Sequence, residues 1–139
     1  MLDNVDGVVL DYTVDEGNPP NAPQLALAVA RVIGRTGRRP RTVTADRGYG
    51  EKKVDDDLHK LGVRTVVIPR KGKPSKGPTS RGTQTRVRKT VKWRTGSEGR
   101  ISNLKRVYGW DRTRLDSTEG ARIWTGYEIL AHNRSRSEP

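Results

Sequence analysis

Between Arg70 and Lys92 the chain reads RKGKPSKGPTSRGTQTRVRKTVK, dense in Lys and Arg, with no acid and almost nothing to bury. A run of like charges with so little apolar content cannot join a hydrophobic core and is ordered only by a counter-charge. Whatever folds must therefore be assembled from the residues on either side of it. Those are few: the chain has 139 residues, 31% of them hydrophobic, which allows at most one domain with a small core. The formal net charge is +12, so long-range electrostatics favour a polyanionic partner, nucleic acid before a membrane face. Read more plainly, the basic run is a solvated linker.

On the N-terminal side, strand and helix patterns alternate. From Gly7 to Val14, Val8, Leu10, Tyr12 and Val14 fall on one face against Asp11 and Thr13, the period of a strand, which should pair with something before it. Asn21 is placed to cap a helix with Pro23 in its first turn, an apolar stripe from Ala22 to Ile33, and an end before Gly37. A β-branched run from Arg41 to Ala45 leads into Asp46, a helix is expected over Glu51 to Leu61 with Gly62 as its stop, and Val63 to Ile68 is expected as a buried strand closed by Pro69. This order predicts an α/β fold whose parallel strands are joined by helical crossovers. Beyond the basic run, helices are expected over Ser97 to Tyr108 and from about Thr118 to His132, with a disordered tail over 134–139.

Several classes drop out. No apolar stretch approaches the roughly 20 residues that span a bilayer, and the start MLDNVDGVV has no signal-peptide pattern; the expected location is the cytoplasm, with no membrane partner. Cysteine is absent, and His59 and His132 lie far apart, so a bound metal must use oxygen ligands.

Two acids stand apart. Asp46 follows the Thr42 to Ala45 strand directly and precedes Arg47-Gly48-Tyr49-Gly50, at the strand end where α/β sheets gather ligands. Glu98 opens a helix just after the basic run, with Arg94 four residues ahead and Lys105 seven behind, on one helical face. Taken singly, Asp46 is an ordinary loop acid capping the next helix, and Glu98 a first-turn acid complementing the helix dipole. Their cationic surroundings suit a carboxylate that metal and nucleic acid both approach.

The strings TADRGYG, VVIPRKGKP, WRTGSEGRISNLKRVYG and GARIWTGYEILAHN resemble the DDE transposases of bacterial insertion sequences, over nearly the whole chain from Asp3 to Asn133. The resemblance implies a ribonuclease-H-like mixed sheet flanked by helices, and two divalent cations, Mg2+ or Mn2+, held by Asp, Asp and Glu. Asp46 matches the second Asp and Glu98 the Glu. The signature around the glutamate maps onto Arg94, Glu98 and Lys105; its tyrosine position is Val91, a departure that leaves the tyrosine's role unfilled unless Trp93 substitutes. Nothing in the chain matches the first Asp. Asp3, Asp6 and Asp11 are on or beside what resembles the third strand of the family's sheet, in places that suit turn and surface roles. The chain is therefore expected to be the C-terminal part of such a catalytic domain, over 1–133 with a basic insertion at about 70–92, truncated at its N-terminus.

The activity so implied is metal-dependent strand cleavage at transposon ends, followed by strand transfer into target DNA. Two metal ions stabilise the attacking and leaving oxygens of an in-line displacement, and hard cations select carboxylates. Asp46 and Glu98 would hold the metal, with Lys105 beside them. Arg70, Lys71, Lys73, Trp93, Arg94, Arg100 and Lys105 would contact DNA. A homodimer or an intact transposase are further expected partners. The competing expectation is a non-catalytic DNA-binding remnant that occupies transposon ends; a ribosomal-type RNA binder fits the charge but not the DRGYG and SEGRISNLKR strings.

Overall fold

The chain leaves one structural unit at Pro20 and returns to it at Thr95, so its two units are Met1–Pro19 with Thr95–Pro139, and Pro20–Arg94. The computed structural model describes residues 1–17, 19–69, 99 and 101–137, and the architecture is mixed α/β.

The first unit starts with an antiparallel pair, β1 (Leu2–Asp3) and β2 (Val9–Asp11), joined by a turn. The Asn4 side chain builds that turn, its Oδ1 accepting from the amides of Asp6 at 3.0 Å and Val8 at 2.9 Å. Gly7, at φ 79°, takes the left-handed step that side chains disfavour. The expectation that the strand pairs with something before it is met by β1. Its facing is not as expected: Val9 and Asp11 are buried, and Val8, Leu10 and Tyr12 are half-buried. Asp11 therefore holds no surface role. Both faces of β2 are covered, which strict alternation could not reveal.

The cover comes from two helices, α3 over residues 101–107 and α4 over Ser117–Ser137. Val9, Leu104 and Ile129 form the centre of this core, with Tyr12, Tyr108 and Trp110 packed against it. The Asn133 amide then fastens α4 to β2. Its Oδ1 accepts from the Val9 amide at 2.8 Å and its Nδ2 donates to the Val9 carbonyl at 2.9 Å, so one side chain serves both backbone groups as a neighbouring strand would. One residue earlier, fully buried His132 donates from Nε2 to the Gly7 carbonyl at 3.0 Å and meets the Tyr108 ring edge-on. Trp124 Nε1 donates to the Gly109 carbonyl at 3.2 Å.

Helix α4 continues to Ser137, through the first four positions of the 134–139 segment, whose last two positions lie outside the described residues. Ser135 donates to the His132 carbonyl and meets the Tyr108 hydroxyl at 2.9 Å, and Ser137 donates to the Asn133 carbonyl. Both serines bond back to carbonyls of the preceding turn of their own helix.

The second unit has the expected strand-helix-strand order. Its leading helix, α1 (Asn21–Thr36), buries Ala22, Leu25, Val29 and Val32 at helical spacing. The cap position is Pro20 rather than the expected Asn21, and the helix ends on Gly37 in the left-handed conformation, whose amide donates to Ile33. Strand β3 (Thr42–Thr44) pairs in parallel with β4 (Thr65–Val67), and α2 (Lys52–Lys60) makes the crossover, burying Val54 and Leu58. Among the described residues the strands form two two-stranded sheets, β1-β2 and β3-β4, rather than one sheet. Val63, the most buried of the Val63 to Ile68 run, lies ahead of β4, whose own residues are only half-buried.

Replacing Asn133 with Ala strands the Val9 amide and carbonyl, and each unmet, partly buried group costs about 1–3 kcal/mol. Urea unfolding of Asn133→Ala should show a loss of at least about 2 kcal/mol, against no more than about 0.5 kcal/mol for Arg136→Ala on the exposed side of the same helix.

Candidate functional site

The parallel pairing of β3 with β4 sets Thr44 opposite Val67, so both strands point their C-terminal ends toward one edge. Thr44 Oγ1 reinforces the pair by donating to the Val67 carbonyl at 2.9 Å. Asp46 and Pro69 each lie two residues beyond that last paired position. The chain turns at once after Asp46 into a single 3-10 turn, Arg47–Tyr49, and Asp46 caps it, Oδ1 accepting from the Gly48 amide at 2.7 Å. Orientation of the carboxylate is thus built into the turn, while the residue itself stays exposed. The capping role expected for Asp46 exists, but it serves this turn and not α2.

Gly50 closes the loop. A Cβ there would lie 2.0 Å from the Pro69 carbonyl oxygen, so only glycine lets the DRGYG loop pack against the end of β4. Gly48 is constrained more mildly, its Cβ position 2.9 Å from the Asp46 carboxylate. The basic run begins at the residue after Pro69. An oriented acid and a glycine-dependent loop packed against Pro69 are therefore brought together at one strand edge. Tyr49, which sequence reasoning did not single out, is half-buried beside them. Burial, and then the negative charge of Asp46, push its phenol above the ordinary tyrosine value.

Of the other expected site residues, Lys105 is exposed on α3, one position after buried Leu104. It belongs to the first unit and Asp46 to the second. Glu98, Arg94, Arg100, Trp93, Arg70, Lys71 and Lys73 lie outside the described residues, as do Val91 and the basic insertion. Among the described residues, no three acids, histidines or cysteines gather as a metal site, and no helix is long and apolar enough to cross a membrane. A divalent oxygen-preferring cation suits the donor type that Asp46 offers, a carboxylate held at a strand end in a chain without cysteine.

The family model for the transposase DDE domain matches residues 1–134. No curated protein and no solved structure matches the chain.

Two measurements check this loop. Gly50→Ala should destabilise the protein well beyond the ~1 kcal/mol of an average substitution, whereas Gly34→Ala, in α1 with open space around its Cβ position, should stabilise it by about 0.5–1 kcal/mol; thermal melts compare them. In a phenolate absorbance titration one tyrosine should ionise above the usual range near 10, and Asp46→Asn should lower that value while leaving it raised by burial. The folded phenol holds its proton more tightly than the unfolded one, so this contribution is intact below about pH 10 and lost as pH rises through the folded value.

Proposed function

The chain belongs to the transposase DDE domain family, and on that premise we propose that it serves metal-dependent DNA strand cleavage and strand transfer at insertion-sequence ends. The observation that supports this reading most is the placement of Asp46, an oriented carboxylate at the C-terminal edge of a parallel strand pair, beside the point where the basic run departs. In the proposed site Asp46 and Glu98 hold Mg2+ or Mn2+, within a ribonuclease-H-like fold. Such a cation, when bound, supplies activation of the attacking oxygen and neutralisation of charge on the leaving one. The chain's own part is to orient the Asp46 carboxylate through the Gly48 amide and to hold DNA near it.

Binding falls to the cations. Arg70, Lys71 and Lys73 start the basic run and are assigned to the flanking duplex phosphates. Arg94, Arg100 and Lys105, with Trp93 beside them, are assigned to the phosphates near the scissile bond. Contacts of this kind fix position without reading sequence. No residue of 1–139 matches the first acid of the family pattern, so the proposal assigns that ligand to a segment outside these residues. Without it one ligand of the metal pair is missing, and the chain by itself should bind DNA yet cleave it poorly.

A nicking assay on DNA carrying the element's ends tests the reading, comparing this chain with a form extended N-terminally by the strand that bears the missing acid. The extended form should nick in Mg2+ or Mn2+, and Asp46→Asn or Glu98→Gln should each abolish it. An extended form that binds but never nicks favours the non-catalytic DNA-binding reading. For binding, the logarithm of affinity should fall linearly with the logarithm of salt, and Ala at Arg70, Lys71 and Lys73 should reduce that slope by roughly 2–3. An unchanged slope would make the run a linker.

A further inference from the structure

Trp124 stands in the string GARIWTGYEILAHN and has no part in the proposed site. It is half-buried on α4, outside the core of Val9, Leu104 and Ile129. The indole has a single polar atom, Nε1, which donates to the Gly109 carbonyl at 3.2 Å. Its ring also lies 3.6 Å from where a Gly109 Cβ would be. An indole there both packs and hydrogen-bonds, whereas a phenyl ring could only pack.

Gly109 is where the chain leaves α3. At φ 71° it takes the left-handed step that ends helices, and the Leu104 carbonyl accepts from the amides of Tyr108 at 3.2 Å and Trp110 at 3.1 Å. Over residues 101–107 the helix is only about 10 Å long, too short to persist without tertiary contacts. Its placement is therefore set by what its C-terminal end touches. Leu104 is fully buried in the core, and Tyr108 meets His132 edge-on and Ser135 through its hydroxyl. Those contacts are made by side chains, which can turn about their own bonds. The Trp124 bond is directional and grips the backbone itself. Exposed Lys105 follows Leu104 directly, about one helical turn ahead of Gly109.

We propose that Trp124 is a positioning residue: by holding the Gly109 carbonyl it fixes the end of α3, and with it Lys105 against the DNA phosphate. The role of Lys105 rests on the function proposed above; Trp124 itself need not touch DNA. A displacement of roughly 1 Å in a reacting geometry can cost about 100-fold in rate. Affinity, by contrast, is shared among many cations. Loss of the bond should therefore appear in turnover and not in DNA binding.

Hydrogen exchange on this chain tests the grip. In Trp124→Phe the Tyr108 and Trp110 amides should exchange faster, while the Val9 amide, bonded to Asn133, should keep its rate. Nicking by the N-terminally extended form tests the consequence. Trp124→Phe should lower kcat about tenfold or more with KM for DNA unchanged. In a Lys105→Ala background the same substitution should cost nothing further. Tyr127→Phe, exposed on the same helix, should change neither measurement. Unaltered exchange at Tyr108 and Trp110, a raised KM with kcat retained, or losses at Trp124 and Lys105 that multiply would each overturn the proposal. An extended form that does not nick with Trp124 in place counts instead against the proposed function; the exchange measurement requires no cleavage and still decides whether Trp124 holds α3.

Discussion

Two hydrogen bonds from one side-chain amide hold together parts of the chain that are 124 residues apart. Asn133 takes the place of a strand along β2, and buried His132 adds a third bond to the Gly7 carbonyl. A two-stranded sheet is marginal alone, and β1-β2 has so few residues that its persistence rests on this fastening and on the core of Val9, Leu104 and Ile129 beneath it. Tyr12, Tyr108 and Trp110 pack against the same core.

The second unit depends on a different constraint. Parallel pairing needs a crossover, and the crossover from β3 through α2 to β4 brings two strand ends to one edge. The loop after β3 can lie against the end of β4 only because Gly50 has no side chain. Fold and chemistry meet there. The geometry that turns the Asp46 carboxylate into a capped, oriented donor is the same one that packs Gly50 against Pro69. It also places Tyr49 where burial and the Asp46 charge both favour its neutral form.

How far the sequence alone could go differs between the units for physical reasons. In Arg41 to Ile68 the pattern is local: β-branched runs, a helix with Val54 and Leu58 one turn apart, and Gly62 as a stop. Each was legible, and with them the position of Asp46 at a strand end. In the first unit the decisive contacts are long-range. Alternation groups Val8, Leu10 and Tyr12 on one face and cannot show that Val9 is also covered, because that cover comes from Leu104 and Ile129 far along the chain. The polar run after His132 read as a frayed end, since hydrophobicity cannot show that Ser135 and Ser137 bond back to their own helix. The string AHN carries no periodic signal, and its physical meaning is the clasp of His132 and Asn133 on Gly7 and Val9. Tyr49 carried no signal, because burial and proximity to a charge are properties of the folded loop.

The proposed function turns on Asp46 and Glu98 serving one metal site. A double-mutant cycle on Mn2+ affinity, measured by isothermal titration with DNA present on the N-terminally extended form, tests it most directly. Two ligands of one site are coupled, so Asp46→Asn and Glu98→Gln should each weaken binding strongly and the double variant little more than either. Losses that simply add, or Mn2+ binding that neither substitution disturbs, would contradict the account.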